Sequence, residues 1–172
     1  MTAGESKKQS SEARERVLRE AEQQFSERGY TAVTLRDIAS ALKIKQASLY
    51  YHVPGGKEQL FIEVVERTFL RHRKGLEHAI ILAGPELRSQ LRAVAIWLLS
   101  QPPMDLIRMT YSDMPIIDQE HARRLSWLAY TSMIGPIEAA LVQAQQNGMI
   151  HHDNPCAGYL PHPSAQFFFS ST

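Results

Sequence analysis

The sequence predicts an all-α protein in which a three-helix N-terminal domain is followed by a helical bundle. Apolar residues recur at intervals of three and four along most of the 172 residues, which is the spacing of one helix face. Glycine and proline mostly separate such segments, and no alternating pattern typical of a strand occurs. A content of 44% hydrophobic and 22% charged residues is that of an ordinary globular domain.

The first helix is predicted from Ser11 to Arg28, and Gly29 is a natural C-terminal stop. Charged residues surround its apolar face. That face consists of Val17, Leu18, Ala21 and Phe25. Residues 1–10 are polar and are expected to be frayed.

Two short helices follow. Thr34 with Asp37 three residues later is a capping-box-like start. The pattern pauses at Lys43, and a second short helix is predicted from Lys45 to Tyr51. Pro54-Gly55-Gly56 ends it. Two short helices joined by a tight turn form a helix-turn-helix, whose second helix enters the major groove of DNA.

Further helices are predicted in the rest of the chain. A long helix begins at Lys57 and runs towards Leu82, and another runs from Pro85 to Ser100. Residues 104–111 form a short apolar helix or turn. A final long helix over 118–147 should be kinked by Gly135-Pro136.

Two domains and a tail are predicted. The first domain covers 1–56 and includes the start of the helix from 57, the second covers 57–148, and the irregular tail covers 149–172. The helix from Lys57 would link the first two mechanically. Residues 1–78 carry 14 Lys+Arg against 11 Asp+Glu, whereas residues 79–172 carry 5 against 7. This asymmetry favours a DNA-facing N-terminal half.

A set of residues at fixed spacing surrounds the two short helices, namely Ala21, Phe25, Gly29-Tyr30, Thr34, Ile38-Ala39, Leu49-Tyr50-Tyr51-His52-Val53, Lys57-Glu58 and Leu60. With these residues the stretch from Thr34 to Leu60 resembles the DNA-binding domain of the tetracycline-repressor (TetR) family of bacterial transcription regulators. The resemblance covers about Val17 to Phe69. Two positions depart from it: Lys43 stands where the family often has the turn glycine, and Lys45 where it often has a capping serine.

The resemblance assigns the DNA-contacting positions. Side chains at the start of the motif should approach phosphates, and those of the recognition helix should face the groove. Gln46 suits adenine and Lys45 suits guanine in bidentate contacts. Leu49 is expected in the core. The candidate DNA-binding residues are Thr34, Arg36, Lys45, Gln46, Ala47, Ser48, Tyr50, Tyr51, His52 and Lys57.

A small-molecule pocket is a second candidate site. Aromatic and methionine side chains in the second domain have the chemistry of an apolar ligand site, although each is equally a core residue type. Arg108, Asp113 and His121 could be polar anchors. The candidate ligand-binding residues are Trp97, Met104, Met109, Tyr111, Met114, Trp127, Tyr130 and Met133.

The sequence gives no support for a catalytic site, a metal site or a cofactor site. The sequence contains no nucleophile elbow, phosphate loop or zinc-protease motif, so we expect no enzyme and no cofactor. His151, His152, Asp153, Cys156 and His162 do not match a zinc spacing. The single cysteine and the lack of a signal peptide or an apolar run of spanning length indicate a cytoplasmic protein without a membrane partner.

The expected function is a transcription regulator, most simply a repressor. Two copies would bind a palindromic double-stranded operator as a homodimer, and an unknown small-molecule effector would release them. The family usually continues into two further long helices that form the dimer interface, whereas the tail after Gly148 has no helical period. A truncation, a shifted reading frame or a divergent segment would each explain it. The alternative is a helical small-molecule-binding or interaction protein without effective operator binding.

Overall fold

The computed structural model describes residues 3–102 and 105–150, and these residues form helices and turns without a strand. The chain therefore has the predicted all-α fold. The helices are α1 (Ala3–Ala32), α2 (Leu35–Ala41), α3 (Gln46–His52), α4 (Gly56–Leu82), α5 (Leu87–Ser100), α6 (Leu106–Arg108), α7 (Gln119–Met133) and α8 (Gly135–Gln146). A π-helical turn (Met109–Asp113) and a 3-10 turn (Met114–Ile116) connect α6 to α7.

Helix α1 is longer than predicted. It begins at Ala3, so the expectation of a frayed segment is wrong for residues 3–10, because the polar residues there include good helix formers. The helical conformation breaks at Gly29, which has φ 78° and ψ 170°. The helix resumes after this break and continues to Ala32, so the residue predicted to end the helix instead bends it.

An apolar core joins α1, α2, α3 and the first half of α4. Ile38 and Leu49 are fully buried within it. The Phe61 ring packs edge-on against Phe25 at a centroid distance of 5.2 Å and lies 4.9 Å from the Tyr30 ring. These contacts hold the two short helices on the surface of α1 and α4 and fix their orientation.

Ion pairs reinforce the α1–α4 contact along its solvent side. Arg14 lies 2.6 Å from Glu63, and Arg71 lies 2.6 Å from Glu22. A third pair joins Arg67 to Glu15, and it lowers the pKa of Glu15 mainly through the hydrogen bond that the guanidinium donates. All three pairs are partly exposed, so each stabilises the fold only modestly.

Helix α4 also packs against α5, α7 and α8. At Gly75 the ring of Trp97 approaches so closely that an added Cβ would lie 1.9 Å from its Cζ2 atom. The chain bends by 42° between α7 and α8. This bend is the kink predicted at Gly135-Pro136, and it separates the single predicted helix into two.

Candidate nucleic-acid interface

Thr34 and Asp37 cap the start of α2 reciprocally. The Thr34 hydroxyl oxygen accepts a hydrogen bond from the Asp37 backbone N–H at 3.2 Å, and Asp37 Oδ2 accepts one from the Thr34 backbone N–H at 2.8 Å. Hydrogen bonds from Thr34, the hydroxyl first, lower the pKa of Asp37, because they stabilise its carboxylate form. The predicted capping box is therefore present and fixes where α2 begins.

The turn between α2 and α3 closes as a Schellman motif. Lys43 donates its backbone N–H to the Ser40 carbonyl at 3.1 Å, and Ile44 donates to the Ala39 carbonyl at 3.0 Å. Lys43 adopts a φ of 56°, the left-handed region that usually takes glycine. The family's frequent glycine at this position thus has a conformational reason, and lysine supplies a cation there instead.

Helix α3 has one buried and one exposed face. Leu49 is fully buried, as predicted, and Val53 after the helix is 5% exposed. Tyr51 is 77% exposed and Tyr50 is 48% exposed. The helix begins without a side-chain cap at Lys45. The remaining side chains of the outer face are also exposed, namely those of Gln46, Ala47 and Ser48.

Cations surround this outer face. Arg36, Lys43 and Lys45 are exposed and form no ion pair within the part of the chain that the structure describes. Thr34 is exposed at the start of α2. Arg28, at the end of α1, lies 4.0 Å from the Asp37 carboxylate and is also exposed. Sequence reasoning missed Arg28, because only the fold brings the end of α1 beside α2.

Lys57 and His52 lie at the edge of this surface. The Lys57 ammonium is placed over the Tyr30 ring at 4.2 Å from its centroid. Burial lowers the pKa of Lys57, and the carboxylates of Asp113 and Asp37 oppose that shift. The half-buried His52 ring packs edge-on against Tyr51. A contact between Lys57 and a DNA phosphate stays a prediction, and it requires the ammonium group to move away from the Tyr30 ring.

The described members of the predicted ligand-binding set lie in different surroundings. Met114 is buried in the core, and Met109 and Met133 pack against it. Tyr111 and Trp127 are exposed, and Trp127 stacks on Tyr130 at 6.0 Å. The Tyr130 hydroxyl donates to Glu138 at 2.6 Å, and Trp97 covers Gly75. Met104 lies outside the described residues.

Two of the predicted polar anchors do share a cavity, together with Met109. Arg108 and Asp113 line a space between α1 and α4, whereas His121 contacts Glu58 at 3.0 Å. Sequence reasoning missed His72 in this cavity, because it stands in the basic run Arg71-His72-Arg73-Lys74. Its spacing from Phe69 and Leu76, three and four residues, could have placed it on the inner face.

Neither a metal cluster nor a single membrane-spanning helix is found in residues 3–102 and 105–150. Only α7 and α8 taken together, across their 42° bend, pass the length and hydropathy test for a span. The histidines and the cysteine considered for zinc, His151, His152, Cys156 and His162, lie outside the described residues, as does the tail beyond 150.

Comparison with known proteins identifies relatives of the N-terminal domain. Residues 17–64 match the family described as bacterial regulatory proteins, tetR family. The chain is 41% identical over 56 residues to the biofilm operon icaADBC negative transcriptional regulator IcaR of Staphylococcus epidermidis, covering 33% of this chain and 30% of IcaR. It is 44% identical over 64 residues to the transcriptional regulator LmrA of Bacillus subtilis, covering 36% of this chain and 34% of LmrA.

These matches span about a third of the relatives' own length. The solved structure of Salmonella enterica GusR is 22% identical, covers 83% of this chain and 72% of that chain, and superposes with a TM-score of 0.46. Both relatives named above are described as transcription regulators. The two sequence matches therefore agree with the resemblance seen in the sequence.

Proposed function

We propose that the whole chain is a DNA-binding transcription regulator acting in the cytoplasm. The premise is the match of residues 17–64 to the tetR family of bacterial regulatory proteins. One observation carries the proposal. Helix α3 is anchored by the fully buried Leu49 while its opposite face exposes Tyr51 and the neighbouring polar residues. A helix presented in this way can enter a major groove without unfolding any other part of the protein.

The chemistry of the exposed face suits duplex DNA. Gln46 can make a bidentate contact with adenine, and Lys45 can contact guanine. Arg36 and Thr34 at the start of α2 would hold the sugar–phosphate backbone. An α-helix with its side chains is about 10 to 12 Å in diameter, so α3 fits a groove about 12 Å wide. Its seven residues are about 10 Å long.

The regulator would act as a homodimer on a palindromic operator. One helix-turn-helix binds DNA weakly and with little sequence preference, whereas two recognition helices about 34 Å apart read successive turns of the duplex. Exposed apolar side chains at the end of α4 and on α5 support contact with a second copy. Ile81 is 74% exposed, Leu82 is 72% exposed and Ile96 is 59% exposed.

Repression would be relieved by a small-molecule effector. Helix α4 runs from the DNA-binding surface into the bundle, so a ligand that prefers one orientation of α4 would change the spacing of the two α3 helices. The effector acts only through its different affinities for the two states. The layout in domains 1–56 and 57–148, with α4 as their link, is part of this proposal.

Selection of bound duplexes from a random DNA pool tests the function. We expect one short sequence to be enriched in two inverted copies, and sedimentation of the complex to give two chains per duplex. Enrichment of a single copy would contradict the dimer, and no enrichment with a monomer in solution would favour the alternative of an interaction protein.

A pair of variants makes the test specific to α3. Tyr51→Ala removes an exposed side chain of α3, so we expect weaker binding to the selected duplex with an unchanged melting temperature. Lys74→Gln removes an exposed cation from α4, outside the helix-turn-helix, and should leave the affinity within about twofold of wild type. Equal effects of the two substitutions would mean that binding does not depend specifically on α3.

A further inference from the structure

A cavity of about 780 Å³ lies between α1, the first half of α4 and the segment from Asp105 to Asp113. Its volume falls within the range of sites that hold small organic molecules. The cavity is distinct from the aromatic and methionine cluster predicted from the sequence, of whose described members only Met109 lines it.

The inner wall of the cavity is apolar. Phe61 is 2% exposed and Phe69 is fully buried, so the wall is built from core side chains rather than from mobile surface residues. Burial of apolar ligand surface against such a wall is favourable, by about 25 cal/mol for each Å². The apolar lining consists of Phe25, Phe61, Val64, Val65, Phe69 and Met109.

Most charged groups at the rim of the cavity already have partners. Glu15 pairs with Arg67. Glu22 accepts hydrogen bonds from Arg71 at 2.6 Å and from Thr68 at 3.0 Å. Arg19 also lines the rim but is exposed, so water screens its charge. The charges at the rim therefore give no reason to expect a charged ligand.

His72 is a buried polar group of the inner wall without a hydrogen-bond partner, and Arg108 Nε is a second such atom among the lining residues. It is 4% exposed, and its Nδ1 atom makes no hydrogen bond within the described residues. Burial lowers the pKa of His72, the Arg71 charge lowers it further, and Glu22 opposes the shift. The imidazole is therefore neutral at pH 7, and its unpaired Nδ1 donates or accepts a hydrogen bond according to the tautomer. A buried polar atom without a partner is unfavourable by about 1 to 3 kcal/mol.

We propose that this cavity is a binding site for a neutral, largely apolar organic molecule that carries one hydrogen-bonding group, placed against Nδ1 of His72. The apolar lining supplies most of the affinity. The His72 contact supplies selectivity for ligands with a hydrogen-bonding group, because such a ligand satisfies an atom that is otherwise buried without a partner.

The location of the cavity suggests how occupancy would reach the DNA-binding surface, a consequence that rests on the proposed function. Arg108 donates hydrogen bonds to the carbonyl oxygens of Phe25 and Glu27 at 3.2 and 3.3 Å, and to that of Ser26. Asp113 accepts one from the Tyr30 backbone N–H at 2.9 Å. A ligand beside Arg108 and Asp113 would thus contact the two side chains that hold the end of α1.

The test uses the full-length protein and the fluorescent probe N-phenyl-1-naphthylamine, which is neutral and apolar and carries one N–H donor. We expect saturable binding to wild type. Met109→Trp should weaken it strongly, because the larger indole takes up part of the cavity beside the apolar wall. His72→Phe should weaken it about tenfold while leaving the binding of pyrene, which has no donor, unchanged. Leu70→Gln, an exposed apolar position on α4, is the matched control and should bind both probes like wild type.

Several results would overturn the proposal: no saturable binding to wild type, equal binding to wild type and Met109→Trp, loss of binding in Leu70→Gln, or equal weakening of both probes by His72→Phe. If a cavity variant does not fold, methyl NMR of wild-type protein labelled at methionine replaces it. The Met109 signal should then shift on adding probe, whereas the signal of the exposed Met149 should not, and the reverse pattern would refute the site.

A separate titration with DNA distinguishes this inference from the proposed function. Probe binding without any DNA binding would leave the cavity proposal standing and refute the regulator. DNA binding without probe binding would refute the cavity proposal and leave the regulator standing. If both occur, saturating probe is expected to change the affinity for the selected duplex in wild type but not in Met109→Trp, and an unchanged affinity in both would refute the coupling through α1.

Discussion

Replacing Gly29 with alanine is expected to destabilise the protein by about 1 to 3.5 kcal/mol. Gly29 combines a φ of 78° with a ψ of 170°, a backbone region that is almost restricted to glycine. The bend at this residue turns the chain from α1 towards the helix-turn-helix. The substitution therefore tests whether the bend is an obligatory feature of the fold.

The magnitude follows from backbone strain and from crowding. Strain in this region amounts to about 1 to 3 kcal/mol for a residue with a Cβ. The new Cβ would lie 3.1 Å from Arg108 Cδ and 3.2 Å from Asp113 Oδ1, so both side chains must move. Weakening the Asp113 hydrogen bond to Tyr30 adds about 1 kcal/mol. The lower entropy of the unfolded alanine chain offsets about 0.4 to 1 kcal/mol of this total.

The assay is urea unfolding followed by circular dichroism, with Gly135→Ala as the matched control. Gly135 is helical, has no positive φ, and an added Cβ there would meet nothing within 4 Å. Its replacement gains the helix propensity of alanine but brings a Cβ beside the ring of Pro136, so the free energy of unfolding should stay within about 1 kcal/mol of wild type. If Gly29→Ala were as stable as Gly135→Ala, the bend at Gly29 and the clamp formed by Arg108 and Asp113 would not constrain the native state.

Three further predictions concern the cap, the buried histidine and the first lysine of α4. Thr34→Ala removes the capping hydroxyl of α2 and should lower the free energy of unfolding by about 1 kcal/mol, measured by urea unfolding beside Thr131→Ala, whose hydroxyl only bonds within α7. The folded protein holds the pKa of His72 below its ordinary 6.5, so the unfolded chain binds the proton first and stability should fall as pH drops below about 6.5. His72→Phe should remove that part of the pH dependence, and an unchanged slope between pH 7.5 and 5.5 would refute the burial. Lys57→Ala should weaken binding to all DNA sequences alike and reduce the salt slope by about one, whereas an unchanged slope would leave Lys57 in its contact with Tyr30 alone.

Local signals in the sequence were sufficient for the helices and for the motif. The Thr34 and Asp37 pair predicts the start of α2 because its hydrogen bonds span only three residues. Gly135-Pro136 predicts the bend because proline removes a backbone donor wherever it stands in a helix. Leu49 was correctly expected in the core, since helical spacing alone places it on the inner face of α3.

Features that depend on contacts between distant segments were not predictable. The π-helical turn from Met109 to Asp113 accompanies the contacts of Arg108 and Asp113 with the end of α1, more than 80 residues away in sequence. The predicted ligand cluster relied on residue type, which does not determine whether a side chain such as Trp127 points inward. The cavity depends on the spacing of α1 and α4, which no local pattern encodes.

The contacts made by Gln46 test the central claim, that the outer face of α3 reads the bases of duplex DNA. The measurement is the binding preference of wild type and Gln46→Ala, each determined by selection from the same random duplex pool. We predict that Gln46→Ala retains folding and general DNA affinity but loses the base preference at one position of each half-site. Recovery of the same sequence with the same affinity by both proteins would contradict the account.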